Sequence, residues 1–122
     1  MASQNDNSFH AFQASGAISA FIAVSVQSDG TITPSAGNAD KGIGITQQDI
    51  ASLGYGSVKL WTGSGTFMIQ ATGNAVTAGT SYAIVTGGYA SAVNGTFGPA
   101  ALVALQNGVA SNGITLEFAK LA

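Results

Sequence analysis

Short runs of alternating hydrophobic and polar residues follow one another along the chain, and glycine-containing turns separate them. Residues 58–60 (Val-Lys-Leu) and 116–118 (Leu-Glu-Phe) alternate with a period of two, which is typical of half-exposed β-strands. Turns such as Asp29-Gly30 supply the positive φ angles that hairpins require. The pattern predicts one helical turn, at 47–53, and eight strands, at 21–26, 31–33, 43–46, 57–61, 66–70, 81–85, 101–105 and 114–118.

A shift of 58 residues superimposes the first half of the chain on the second. Residues 29–30 then fall on 87–88, and 57–60 (Ser-Val-Lys-Leu) fall on 115–118 (Thr-Leu-Glu-Phe). Both halves share one order of strands and turns, which favours a barrel or sandwich of two similar halves around one core. We therefore predict a single all-β domain, a compact small β-barrel with a two-fold internal repeat. The predicted domain is 16–122, its halves are 16–73 and 74–122, and its link is 62–73.

Residues 1–15 lack this alternation and are rich in Asn, Gln and Ser, so they predict an extended, mobile N-terminal arm. Two aromatic residues in a polar arm indicate a segment that docks on a partner or back on its own domain. Because the arm has few charges to desolvate, it could add as a strand to an exposed sheet edge. The candidate contact residues are Ser8, Phe9, His10, Ala11, Phe12 and Gln13.

Charged residues are scarce. The 122 residues include three lysines, no arginine and five acidic residues, whereas about a quarter of the residues in an ordinary domain are charged. A surface with so little charge exposes apolar patches, which indicates that much of it is covered in an assembly. The missing basic footprint argues against a nucleic-acid partner. Binding through such surfaces is expected to depend little on salt.

The sequence offers no credible catalytic or metal-binding set. His10, the single histidine, lies in the predicted arm, where nothing fixes it beside a nucleophile. The acids Asp29, Asp40 and Asp49 are too far apart for a metal-binding loop, and the chain has no cysteine. We therefore predict no enzymatic activity, no cofactor and no metal. The most apolar window, 17–26, is too short to span a bilayer and follows no basic segment, so neither a membrane partner nor a signal peptide is predicted.

Several short motifs occur in a recognisable order. They are 42–46 (Gly-Ile-Gly-Ile-Thr), 58–60 (Val-Lys-Leu), 65–67 (Gly-Thr-Phe), 75–80 (Ala-Val-Thr-Ala-Gly-Thr), 82–85 (Tyr-Ala-Ile-Val), a Gly-Gly turn at 87–88, 101–105 (Ala-Leu-Val-Ala-Leu) and 115–118 (Thr-Leu-Glu-Phe). Over residues 16–119 this order resembles the capsid decoration (cement) proteins of tailed bacteriophages, which are related to the lambda-type head decoration proteins.

The resemblance implies a barrel or tulip-like domain that forms a homotrimer on the outer surface of the capsid. Such a protein is made in the host cytoplasm, bridges neighbouring major capsid protein subunits and has no enzymatic activity. In lambda-type relatives an N-terminal arm orders on binding and pairs with capsid strands, and residues 1–15 would be its counterpart. Two alternatives stay open. One is another virion component, such as a head-fibre base or a tail-associated protein, and the other is a carbohydrate-binding β module that stacks sugars on Trp61 or Tyr89.

Overall fold

The computed structural model describes residues 9–37, 42–62, 65–72, 75–85, 87–92, 102–109 and 114–120. Within these ranges the chain forms twelve β-strands and no helix, which confirms the all-β prediction. The strands are β1 (Phe9–Gln13), β2 (Ala23–Val26), β3 (Ile32–Pro34), β4 (Gly44–Thr46), β5 (Tyr55–Leu60), β6 (Thr66–Ala71), β7 (Ala75–Val76), β8 (Ser81–Val85), β9 (Tyr89–Ala92), β10 (Leu102–Ala104), β11 (Gly108–Val109) and β12 (Ile114–Lys120).

Each of the eight predicted strands corresponds to an observed one, and β1, β7, β9 and β11 were not predicted. The helical turn predicted at 47–53 is wrong. Ile50 instead forms an antiparallel bridge with Ile18, in which each amide donates to the other residue's carbonyl at 2.8–2.9 Å. The amide of Gly54 donates to the Ala51 carbonyl at 2.8 Å and closes a tight turn after this bridge.

Ten strands form two five-stranded sheets with identical connectivity. The first sheet has the order β1-β5-β4-β2-β3, and the second has the order β6-β12-β10-β8-β9 and closes into a barrel. A parallel pair, Ala71 with Ala90, closes the second sheet, and a parallel bridge from Ala14 to Ile32 lies at the same place in the first. The remaining pair, β7 with β11, matches the Ile18–Ile50 bridge. The predicted barrel and internal repeat are therefore both present.

The repeat extends to individual hydrogen bonds. The amide of Phe21 donates to the Thr46 carbonyl at 2.8 Å. Its counterpart 58 residues later, the amide of Gly79, donates to the Ala104 carbonyl at 2.8 Å. Both donors have a positive φ angle, +63° at Phe21 and +86° at Gly79, so the chain enters β2 and β8 through the same left-handed bend.

The repeat units begin earlier than the sequence pattern indicated. Unit 1 consists of residues 9–60 and starts with β1, while unit 2 consists of residues 66–120 and starts with β6, inside the predicted link. The superposition of 57–60 on 115–118 is wrong by two residues, because Val58 pairs with Thr46 as Phe118 pairs with Ala104. A slip of two keeps every side chain on its face of the strand, so the alternation could not reveal it.

Two buried clusters replace the single predicted core. The cluster of unit 1 is built on Val24, Ile32 and Val58, and that of unit 2 is built on larger side chains, including Phe67 and Phe118. The cluster of unit 2 also contains two fully buried residues from the outer side of the first sheet, which are Ala23 and Ile45. Unit 1 therefore supplies part of the core of unit 2.

Candidate interaction surface

The predicted contact residues Phe9–Gln13 form β1, which pairs antiparallel with β5 in a register that runs from Phe9–Lys59 to Gln13–Tyr55. The segment thus docks on its own domain, which was one of the two predicted alternatives, and Ser8 lies outside the described residues. Of the mobile arm predicted at 1–15, residues 1–8 lie outside the described residues, and residues 9–15 belong instead to unit 1. Ala14 is completely buried, and its neighbour Ser15 donates its amide to the Ile32 carbonyl at 3.0 Å.

β1 is an edge strand of the first sheet. The amides of the two residues that follow β1 alternate in direction, since that of Ala14 donates to the Gly54 carbonyl on the β5 side and that of Ser15 donates toward β3. The Gln13 amide consequently points away from β5, toward the open side of the strand. Edge strands with outward-pointing amides are ready positions for pairing with another chain.

The inward side of β1 is poorly covered. His10 and Phe12 face the interior of unit 1 with their ring centroids 4.6 Å apart, yet His10 is exposed and Phe12 is half-buried. The corresponding residues of β6, Phe67 and Ile69, are only 1% and 0% exposed. Unit 2 is a closed barrel, and Ala23 and Ile45 of unit 1 belong to the buried cluster that contains these two residues. Among the described residues, the buried cluster of unit 1 contains no residue of unit 2.

A turn between β2 and β3 lies in the same unit, and its Gly30 is exposed. A Cβ atom placed on Gly30, which has φ +88°, would meet no heavy atom within 4 Å. We call the surface formed by the inward residues His10 and Phe12, by Gln13 at the strand edge and by Gly30 the open face. Phe12 is only half-buried, so the open face combines an apolar ring with backbone groups.

The carboxylate of Asp29 is fixed beside Gly30. Its Oδ1 accepts hydrogen bonds from the Thr31 hydroxyl at 2.6 Å and from the Thr31 amide at 3.0 Å. These bonds stabilise the ionised form and hold the pKa of Asp29 below its ordinary value. The turn therefore keeps one negative charge at the rim of the open face.

The other acidic candidates also have structural roles or lie outside the described ranges. Asp49 accepts the Ala20 amide at 2.8 Å, and in unit 2 the neutral Asn107 accepts the Ala78 amide at 2.8 Å, so this position needs an acceptor and not a charge. Asp40 lies outside the described residues. Among the residues that the structure describes, no three His, Cys, Asp or Glu side chains form a group that could hold a metal ion.

The two candidate sugar-stacking residues are engaged inside the molecule. The ring of Trp61 packs against Phe67 with centroids 4.8 Å apart, and half-buried Tyr89 packs against the core of unit 1. Tyr55, which is 71% exposed, is the more accessible ring. The described part of the chain contains no helix that is long and apolar enough to cross a membrane.

No protein-family model matches the chain, and no curated protein matches its sequence. Among solved structures the chain is similar to the crystal structure of the head fiber gp8.5 N base of bacteriophage phi29. The TM-score is 0.65, and the match covers 93% of this chain and 97% of that chain at 15% sequence identity. At this identity the likeness shows a common fold, which extends over nearly the whole of both chains.

Proposed function

We propose that the protein is a structural component of a bacteriophage head that binds the outer surface of the capsid as a decoration protein. The observation that carries this proposal is the fold shared over 93% of the chain with a phage head fiber base. The low charge of the sequence, eight charged residues in 122, supports a protein whose surfaces are covered in an assembly.

In this role the protein is a homotrimer that bridges subunits of the major capsid protein and has no enzymatic activity. The candidate contact to the capsid is the outward side of β1. Ala11 is exposed there, on the side of the strand opposite His10 and Phe12. A contact built from β1 and neutral side chains involves few ion pairs, so its affinity should change little with salt.

A second candidate function is the base of a head fibre, because the similar solved structure is itself a head fiber base. Both functions place the protein on a phage head, and they differ in whether a fibre projects from it. Electron microscopy of heads that carry the protein distinguishes them: a smooth layer supports the decoration role, and projecting fibres support the base.

Binding to heads tests the proposal. Heads isolated from particles that lack the protein are mixed with the purified chain and sedimented at low and high salt, and the bound protein is quantified on gels. We expect saturable binding with little dependence on salt. Absence of binding by the wild-type protein would contradict the proposal.

A pair of variants tests the contact residue separately. Ala11→Arg places a charge on the outward side of β1 and should weaken binding to heads about tenfold or more, since an unpaired charge is costly to desolvate. Gln48→Arg is the matched control, because Gln48 is exposed and lies outside β1 and β5. Equal binding of both variants would reject Ala11 as a contact and leave the head-protein function standing.

A further inference from the structure

The two units of one chain meet through a one-way contact. The carbonyl of Gly88 in unit 2 accepts the amide of Ala23 in unit 1 at 2.9 Å, and a Cβ on Gly88 would lie 2.2 Å from the Ala23 carbonyl oxygen. The reverse contact would join Gly30 of unit 1 to Ser81 of unit 2. That contact does not form among the described residues, since a Cβ on Gly30 would meet no heavy atom within 4 Å and Ser81 is exposed.

A second set of hydrogen bonds joins the same two surfaces, with unit 2 as the donor. Gln70 of unit 2 donates its amide to the Phe21 carbonyl at 2.9 Å and its Nε2 to the Ala20 carbonyl at 2.7 Å. The equivalent glutamine of unit 1, Gln13, donates its Nε2 to the Leu53 carbonyl of its own unit at 3.0 Å. Gly79, the counterpart of Phe21, has no heavy atom within 4 Å of a Cβ position. Each unit therefore contributes a different surface to the contact.

Among the described residues, none packs on the second copy of each surface. Unit 1 retains the open face. Unit 2 retains the surface that corresponds to the part of unit 1 that packs against unit 2. We call this second surface the outer face, and its residues are Ala78, Gly79, Thr80, Ser81 and Val103. We propose that the open face of one copy of the protein receives the outer face of a second copy, through the same contact that joins the two units within a chain.

The backbone of both faces already has the shape that the contact requires. Gly30 has φ +88° where Gly88 has +83°, and Gly79 has φ +86° where Phe21 has +63°. Surfaces that keep their conformation on binding lose little entropy, which favours association. The contact between the two units of one chain thus shows the geometry with which a second copy would bind.

The burial of side chains agrees with this occupant. Val103 is half-buried, whereas its counterpart Ile45 is fully buried in the same cluster as Phe67 and Ile69. In the contact between copies, Val103 would cover His10 and Phe12, the counterparts of Phe67 and Ile69. The contact would thereby bury the exposed apolar surface of both the open face and the outer face.

The same hydrogen bonds are expected between copies. The amide of Ser81 would donate to the Gly30 carbonyl. Gln13 would donate its amide to the Gly79 carbonyl and its Nε2 to the Ala78 carbonyl. Gln13 would give up its bond to the Leu53 carbonyl for this purpose.

A contact between two different surfaces leads to a ring when the rotation closes and to a filament when it does not. Three copies would place six units in one ring, which gives the homotrimer of the proposed function a specific interface. The contact itself requires only the purified chain, so it holds or fails independently of binding to heads.

Two blocking variants test this interface by light scattering. Ser81→Arg blocks the outer face with a large charged side chain at the position of buried Ala23. Gly30→Asn blocks the open face, since asparagine tolerates a positive φ and its side chain would meet the partner as a Cβ on Gly88 meets Ala23. We expect the wild type and the Gln48→Arg control to assemble and each blocked variant to be a monomer.

An equimolar mixture of the two blocked variants gives the decisive result. Each variant retains the face that the other lacks, so the mixture should form a dimer with one copy of each and nothing larger. A contact between two identical faces would instead let one blocked variant assemble alone. Three results would overturn the proposal: assembly of one blocked variant alone, a mixture that stays monomeric, and a wild type that is monomeric at every concentration.

A further variant covers the case in which Gly30→Asn fails to fold, as judged by circular dichroism. His10→Glu changes an exposed side chain and should leave the monomer folded. It would place a carboxylate where unit 2 buries Phe67, and the unpaired charge should prevent assembly through the open face. His10→Glu should also form the dimer with Ser81→Arg, and assembly of His10→Glu alone would overturn the proposal.

Discussion

The two repeat units have the same strand order and matching hydrogen bonds, yet they differ in how well their interiors are covered. In unit 2 the inward residues of the first strand, Phe67 and Ile69, are buried, and in unit 1 their counterparts His10 and Phe12 are not. The difference has two sources, because the sheet of unit 2 closes into a barrel and because unit 1 packs against unit 2 and contributes Ile45 to its core. Burial at a given position of this fold therefore depends on the closure of the sheet and on what lies against it.

The largest expected difference between the units is at the inward position of the first strand. Ile69→Ala should lower the free energy of unfolding by about 2–5 kcal/mol, since it leaves a cavity in a closed core. Phe12→Ala should cost about 1 kcal/mol, because a half-exposed ring gives up less of its burial on truncation. Urea unfolding on the Ser81→Arg background, where the chain is expected to be monomeric, gives both values. Equal losses would contradict the difference in cover.

Gly88 and Gly30 form the next matched pair. Both have φ between +83° and +88°, so the strain of an added Cβ is similar at the two positions. Gly88→Ala also drives the Cβ against the carbonyl of Ala23, and we expect it to cost about 3 kcal/mol in total. Gly30→Ala should cost about 1 kcal/mol.

Thermal or urea unfolding gives the loss of stability in each of the two alanine variants. Because the backbone strain is similar at both positions, the difference between the two losses measures the contact between the units at Gly88. A loss at Gly30 as large as that at Gly88 would mean that strain alone governs both positions.

Much of the fold could be predicted from the sequence. Alternation identified eight of the twelve strands of the described residues, and the Gly-Gly and Asp-Gly turns indicated the repeat. Both signals are local, so they can be read from the sequence. β1 was not predicted because its inward residues are His10 and Phe12 and its outward residues include Phe9, so hydrophobic and polar residues do not alternate along it. The counterpart β6 was predicted because its inward positions are Phe67, Ile69 and Ala71, which alternate clearly.

The candidate surface could be predicted only in part. The aromatic residues of the N-terminal segment indicated that it docks, but its pairing with β5 depends on contacts across more than 40 residues of sequence. The one-way contact between the units could not be predicted, since Gly30 and Gly88 look alike in sequence and differ only in what packs on them. A comparison of 13–15 (Gln-Ala-Ser) with 70–72 (Gln-Ala-Thr) would have placed β1 in the repeat.

Gln70 and Gln13 test the polar part of the same contact with a smaller effect. Gln70→Ala removes the bond from Nε2 to the Ala20 carbonyl and should cost about 1 kcal/mol. Gln13→Ala removes a bond to Leu53 in an exposed setting and should cost clearly less. Chemical denaturation of both variants on the monomeric background measures the difference, and a larger loss at Gln13 would contradict it.

The smallest expected effect concerns acid. Two hydrogen bonds from Thr31 lower the pKa of Asp29, so the carboxylate stabilises the folded state above the unfolded pKa, and this contribution is lost as the pH falls through the folded pKa. Unit 2 has Gly87 at this position, so the effect belongs to unit 1 alone. Because Asp29 is fully exposed, Asp29→Asn should change stability only slightly and only on the acidic side. An NMR titration of the carboxyl carbon should place the pKa of Asp29 below its ordinary value and, in Thr31→Val, closer to it. A midpoint that Thr31→Val leaves unchanged would show that the turn does not hold the charge.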